Sequence, residues 1–246
     1  MTPLELAQTD FRAYLRLIKT LVEEKLRPNE HRLTHTNGVP EDLTQTLRDY
    51  GLFAMTLPTE YGGLGLNFEQ QVRLQMEITR ASCVYRARFS TTVGLVCQSI
   101  LQHGTDEQRR RYLPRLGSGE ITGAFALTEE NAGSNAMAVE TTAIRAKDHY
   151  IINGSKRYIT NANIADLFIV VAQTDINKIG ANRISAFLVE ADTPGITIAP
   201  IDKKMGQDGA PTAETTFSNC YVPLSALISG EEGNGFQVAM AGINTA

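Results

Sequence analysis

The apolar residues of this chain change their period once, near residue 120, and no other property restricts the fold as much. Over residues 4–26, Leu4, Ala7, Phe11, Tyr14, Leu15, Ile18, Leu21, Val22 and Leu26 recur every three or four positions, gathering on one face of a helix that Pro28 stops. The same spacing predicts a helix over 41–50, closed by Gly51 in the C-cap position, and two more over 67–81 and 89–103. Thr105 with Gln108 three residues on forms a capping box, opening a helix through Arg111 to Leu116. From Ile121 alternation and β-branched residues take over, predicting strands over 122–128, 139–146, 149–152, 155–160, 167–173, 184–190 and 215–222. Asn153-Gly154 reads as the tip of a two-residue hairpin. After Glu232, Phe236, Met240 and Ile243 return to helical spacing. The predicted fold is therefore multi-domain α and β. An all-α helical bundle (1–119) precedes a compact antiparallel β-barrel or two-sheet sandwich (120–231), and a last helix has barely begun over 232–246.

The 246 residues are enough to bury a sizeable core, and the balance of 42% apolar to 20% charged residues excludes disorder as the main state. A formal net charge of −4 argues against nucleic acid as a partner, since phosphate binding rests on an excess of Lys and Arg. No secretory signal or long apolar span is read, so the expectation is a cytoplasmic protein without a membrane role. Cys83, Cys97 and Cys220 lie far apart, as structural thiols rather than a disulfide set or zinc site. His31 and His35 stand four apart but have Pro28 before them, Asn37-Gly38 after them and no third ligand at helical spacing, so no metal is expected. Motifs of dinucleotide folds, P-loops, serine hydrolases and zincins are missing.

The boundary itself is GAFALTEENAGSN (123–135), a strand running directly into a polar loop. In the strand, Phe125 and Leu127 point one way and Ala126 and Thr128 the other. Ala132-Gly133-Ser134 is small enough for backbone to approach a ligand, with N–H groups able to cradle an anion. Glu129 and Glu130 are adjacent and point apart, so they are expected to solvate or cap the loop rather than act as an acid/base pair. PTEYGGLG (58–65) must be a tight loop, and both a plain turn and a place near a ligand remain open for it.

Together with NGSKRYITNANIADLFIVVA (153–172), HGTDEQRRRYLPRLGSGE (103–120), KKMGQDGAPT (203–212) and GEEGNGFQVAM (230–240), these segments closely resemble the acyl-CoA dehydrogenase family of flavoproteins, in the family's order across essentially the whole chain. The resemblance implies FAD as cofactor. It implies that Phe125, Ala126, Leu127, Thr128, Gly133 and Ser134 line the flavin's pyrimidine edge and pyrophosphate, with Ser134 also reaching the acyl substrate. It further implies that the aromatic of Tyr158 packs on the ring, beside Ile159, and that the Thr160 hydroxyl reaches the nitrogen that receives hydride. Asn135 stands where the family usually has aspartate, and Asp208 where an arginine is common. The implied activity is α,β-desaturation of an acyl-CoA thioester, with electrons passing to an electron-transferring flavoprotein and a homo-oligomeric full-length enzyme. No catalytic base is found, because the family places its glutamate in a third, helical domain or near the position of Ala246, so the chain is expected to be truncated and inactive alone. The alternatives are an acyl-CoA oxidase or flavin monooxygenase of the same architecture, or a catalytically dead interaction module.

Overall fold

The computed structural model describes residues 2–33, 38–175, 177 and 180–244; His35 and Ala246 lie outside them. Eight α-helices are described: α1 Pro3–Thr9, α2 Phe11–Leu21, α3 Glu41–Asp49, α4 Phe68–Ile78, α5 Cys83–Ser90, α6 Cys97–His103, α7 Asp106–Gly117 and α8 Gly235–Ile243. The single helix expected over 4–26 is broken at Asp10, whose carboxylate accepts from the Ala13 N–H (3.0 Å) and caps α2. The helix expected over 89–103 begins earlier, at Cys83, and runs through a π-helical segment, Thr91–Val96, into α6. The Thr105 capping box is present in full: its hydroxyl accepts from the Gln108 N–H (3.2 Å) and Gln108 accepts from the Thr105 N–H (3.0 Å).

Seven strands follow: β1 Gly123–Ala126, β2 Thr142–Arg145, β3 His149–Thr160, β4 Leu167–Gln173, β5 Ile184–Glu190, β6 Ile196–Ile198 and β7 Thr212–Pro223. They pair in the order β1-β4-β2-β3-β7-β6, with β5 on β4. Two expectations are corrected here. The sheet is mixed rather than purely antiparallel, since β1 and β2 run parallel to β4. Asn153-Gly154 is not a hairpin tip but lies inside the twelve-residue β3, where the register with β7 slips by one. A Cβ on Gly154 would stand 2.4 Å from Thr141 Oγ1, so glycine is needed there for close packing and not for a turn.

Alternation sorts the side chains into separate cores. Leu167, Ile169 and Val171 of β4, with Phe125 of β1, pack against Val96, Ile100, Leu113 and Leu116 of the helices. Their neighbours Phe168, Val170 and Ala172, with Ala124 and Ala126, face inward to Tyr150, Ile152, Phe187 and Phe217. Buried on both faces, β4 reads as a continuous apolar run and β5 as one interrupted by the buried Ser185. A third core, built on Tyr14, Ile18, Phe53, Leu74, Tyr85 and Phe89, fills the helical bundle. Helix α8 closes over the first of these cores, between β4 and the helices, where the Ser99 hydroxyl of α6 donates to the Val238 carbonyl (2.9 Å).

Candidate functional site

The two segments singled out in the sequence meet in space. Just beyond the end of β1, the Arg157 N–H donates to the Thr128 carbonyl (2.8 Å), so the start of the polar loop is stitched to the last third of β3. Lys156 pairs with Thr215 of β7 and Ile159 with Ala213, so β3 carries one more residue than its partner across that step. The bulge drives Tyr158 to φ 59°, a left-handed conformation that disfavours an aromatic residue. Tyr158 is nonetheless 64% exposed, so no burial of its ring offsets that cost. Strain held without a packing return is a mark of functional surface. Thr160, two residues on, and Thr128, held at the neighbouring Arg157, are half-buried, while Ile159 points into the barrel core.

The rest of the loop is less built than the sequence suggested. Glu129 and Ala132 exchange backbone hydrogen bonds (3.0 and 3.3 Å), forming a tight turn, and Gly133 and Ser134 are exposed beyond it. No residue from Leu127 to Asn153 has positive φ, so the anticipated anion nest of alternating right- and left-handed residues is not formed. A Cβ on Gly133 would meet nothing within 4 Å, which leaves open space beside the backbone. Asn135 accepts from the Ala138 N–H (3.0 Å), and Asp208 lies on an exposed turn whose Gly209 backs onto the Leu33 carbonyl.

Glu129 departs most from its expectation. It is 6% exposed, forms a 2.6 Å ion pair with the fully buried Lys156, and accepts from the N–H groups of Glu140 (2.5 Å) and Thr141 (3.0 Å). Glu130 is the solvated one, paired with Arg157 at 2.5 Å. Burial alone would push Glu129 upward, but the Lys156 ammonium and the hydrogen bonds outweigh it and hold the carboxyl below the usual range. Burial pushes Lys156 down to about 8, against the pull of Glu129. Sequence reasoning missed Lys156. The available signal was parity, because Lys156 falls on the same alternation as the inward Tyr150 and Ile152.

A depressed carboxyl pKa gives stability that is present above the unfolded value of about 4.3 and lost as pH falls through the folded one. Glu129→Gln is therefore expected to cost about 3–5 kcal/mol at neutral pH, by leaving a buried ammonium short of its anion. It should also flatten the loss of stability below pH ~4.3. Urea unfolding at pH 7 and in steps below pH 5 checks both; equal slopes for the two proteins would refute the assignment.

Among the described residues, no three His, Cys, Asp or Glu side chains gather as a metal site, and no helix is long and apolar enough to cross a membrane. The profile described as "Acyl-CoA dehydrogenase, N-terminal domain" matches residues 8–120, and "Acyl-CoA dehydrogenase, middle domain" matches residues 124–220. The chain belongs to the acyl-CoA dehydrogenase family. An acyl-CoA dehydrogenase of Bacillus subtilis is 36% identical over 93% of this chain and 60% of its own length. Among solved structures, butyryl-CoA dehydrogenase from Megasphaera elsdenii aligns with a TM-score of 0.88 at 34% identity, covering 97% of this chain and 62% of the other. A glutaryl-CoA dehydrogenase from Mycobacterium smegmatis in complex with FADH2 aligns at 0.86 and 32%, covering 100% and 63%. The chain thus spans about 60% of the length of the relatives it matches.

Proposed function

We propose that this family member holds FAD against Tyr158, Thr160 and the segment from Phe125 to Ser134, and serves the α,β-desaturation of an acyl-CoA thioester. The observation carrying this reading is the exposed, strained Tyr158 at a bulge stitched to Thr128. The donor set fits a flavin: a free aromatic face for a planar ring, the half-buried hydroxyls of Thr128 and Thr160 for its polar edge, and open backbone around Gly133 and Ser134 for a phosphate or acyl group. Bound there, FAD supplies the acceptor for hydride from the third acyl carbon. Thr160 would orient the reactive edge, and Phe125, Ala126 and Leu127 would supply backbone and support behind it. Ser134 would contact the acyl-CoA as well.

In this reading electrons leave to an electron-transferring flavoprotein, the full-length enzyme is a homo-oligomer, and residues 1–119, 120–231 and 232–246 are its working units. The free thiols of Cys83, Cys97 and Cys220 support a reducing, cytoplasmic setting. The test uses a polypeptide extended to the relatives' length and loaded with FAD. Mixed anaerobically with a panel of acyl-CoAs, it should lose flavin absorbance with at least one of them, yield the 2-enoyl product, and reoxidise slowly in air. Fast reaction with oxygen would move the assignment to an oxidase, and no bleaching with any thioester would overturn it.

A further inference from the structure

At the point where β1 leaves the sheet, its ladder to β4 ends at the pair Ala126 and Val170. One residue further, the Lys156 ammonium reaches between the two chains, donating to the carbonyls of Leu127 (3.1 Å) and Val171 (2.6 Å). Its third partner is Glu129 at 2.6 Å. An ammonium has three N–H donors and no acceptor, so these contacts satisfy it completely, as a group with 0% exposure requires. A buried ion pair is weak ground for stability, because desolvation of both ions offsets most of their attraction. Its geometry here ties together three pieces of chain that share no ladder: the exit of β1, the root of the β3 bulge, and residues 140–141 through the Glu129 carboxylate.

We propose that Lys156 is the positioning residue of the flavin platform, fixing the peptide between Leu127 and Thr128 and the bulge that presents Tyr158. The inference rests on the flavin reading above. A trans peptide is planar, with C=O and N–H pointing in opposite directions. A Leu127 carbonyl held by Lys156 therefore turns the Thr128 N–H to the opposite side, away from the ammonium. The Thr128 carbonyl is in turn held by Arg157, the residue next to Lys156, so both ends of Thr128 are fixed from one short stretch of β3. Tyr158 follows immediately, and its left-handed backbone is retained because its surroundings over-determine it.

The test compares the chain with the double variant Lys156→Met/Glu129→Gln, which removes both buried charges together and so avoids stranding either one. Backbone hydrogen exchange is read without flavin, and FAD affinity is read by titration of flavin fluorescence with both sequences extended to the relatives' length. The double variant is expected to unfold cooperatively, yet to exchange at least tenfold faster over 127–130, 140–141 and 157–160 and to bind FAD at least tenfold more weakly. Unchanged exchange would overturn the proposal whatever the flavin does. Faster exchange with unaltered FAD affinity would reduce Lys156 to a structural role. Faster exchange beside an unmodified polypeptide of the relatives' length that shows no saturable FAD binding would overturn the flavin reading and leave the clamp. In the unmodified chain, the Glu140 and Thr141 amides should exchange as slowly as those of β4; rates like those of the exposed loop at 133–135 overturn the clamp even if the variant does not fold.

Discussion

The 246-residue polypeptide, supplied with FAD and a panel of acyl-CoAs under anaerobic conditions, should leave the flavin oxidised. Desaturation requires a carboxylate to take the proton beside the thioester carbonyl, and general-base catalysis is commonly worth about 10²–10⁴-fold. The two carboxylates that directly follow Thr128 are both engaged. Glu129 is buried in its ion pair with Lys156, and Glu130 is held by Arg157 on the surface. A base must accept a proton near neutral pH, whereas Glu129 is held below the ordinary carboxyl range. The expected rate is lower by at least about 10²-fold than in a polypeptide of the relatives' length. Substrate-dependent bleaching by the 246 residues alone would contradict this, and would direct attention to Glu129, Glu130 and Asp208.

Gly63→Ala should be the most damaging single methyl group in the helical half. A Cβ at this position would lie 1.9 Å from the Leu57 carbonyl oxygen and 2.2 Å from its carbon, so backbone rather than a flexible side chain would have to move. The same loop is closed by the Gly63 N–H to Pro58 (3.0 Å), Leu64 to Ala54 (3.0 Å) and Gly65 to Leu57 (3.1 Å), none of which survives a displaced Leu57 peptide unchanged. A cost above about 4 kcal/mol is expected, a large part of a typical domain's stability. Gly62→Ala is the control: that position faces open space at φ 78°, so the cost should be only the left-handed penalty of about 1–2 kcal/mol. Urea midpoints compare them. Equal midpoints would show that the loop yields and would contradict the close packing of Gly63 on Leu57.

Much of the fold was legible because the signals that mark it are local. The Thr105 capping box and the apolar runs of β4 and β5 depend only on near neighbours, and residues 167–173 and 184–190 appear as strands at their predicted bounds. Asn153-Gly154 was misread because a turn dipeptide and a close-packed bulge ask for the same small residue; only Thr141, distant in sequence, distinguishes them. The short β6 was missed, since its three residues pair only with β7 and leave little periodicity. For the site, sequence supplied the two segments, but neither its junction at Thr128 and Arg157 nor the ion pair beneath it. A buried lysine has the composition of a surface residue. Its burial follows from a bulge and a parallel strand exit, both of which are tertiary facts.

The central claim is that the β3 bulge is strained in order to present Tyr158 to a flavin, and Tyr158→Gly separates that claim from its alternatives. Glycine relieves the left-handed penalty, while the mostly exposed ring gives up little buried surface. Stability should therefore stay level or rise by up to about 1 kcal/mol. FAD binding, followed by flavin absorbance in the polypeptide of the relatives' length, should weaken at least tenfold, about 1.4 kcal/mol. Stability retained with weakened FAD binding is the predicted result. An FAD affinity equal to that of the unmodified protein would contradict the account.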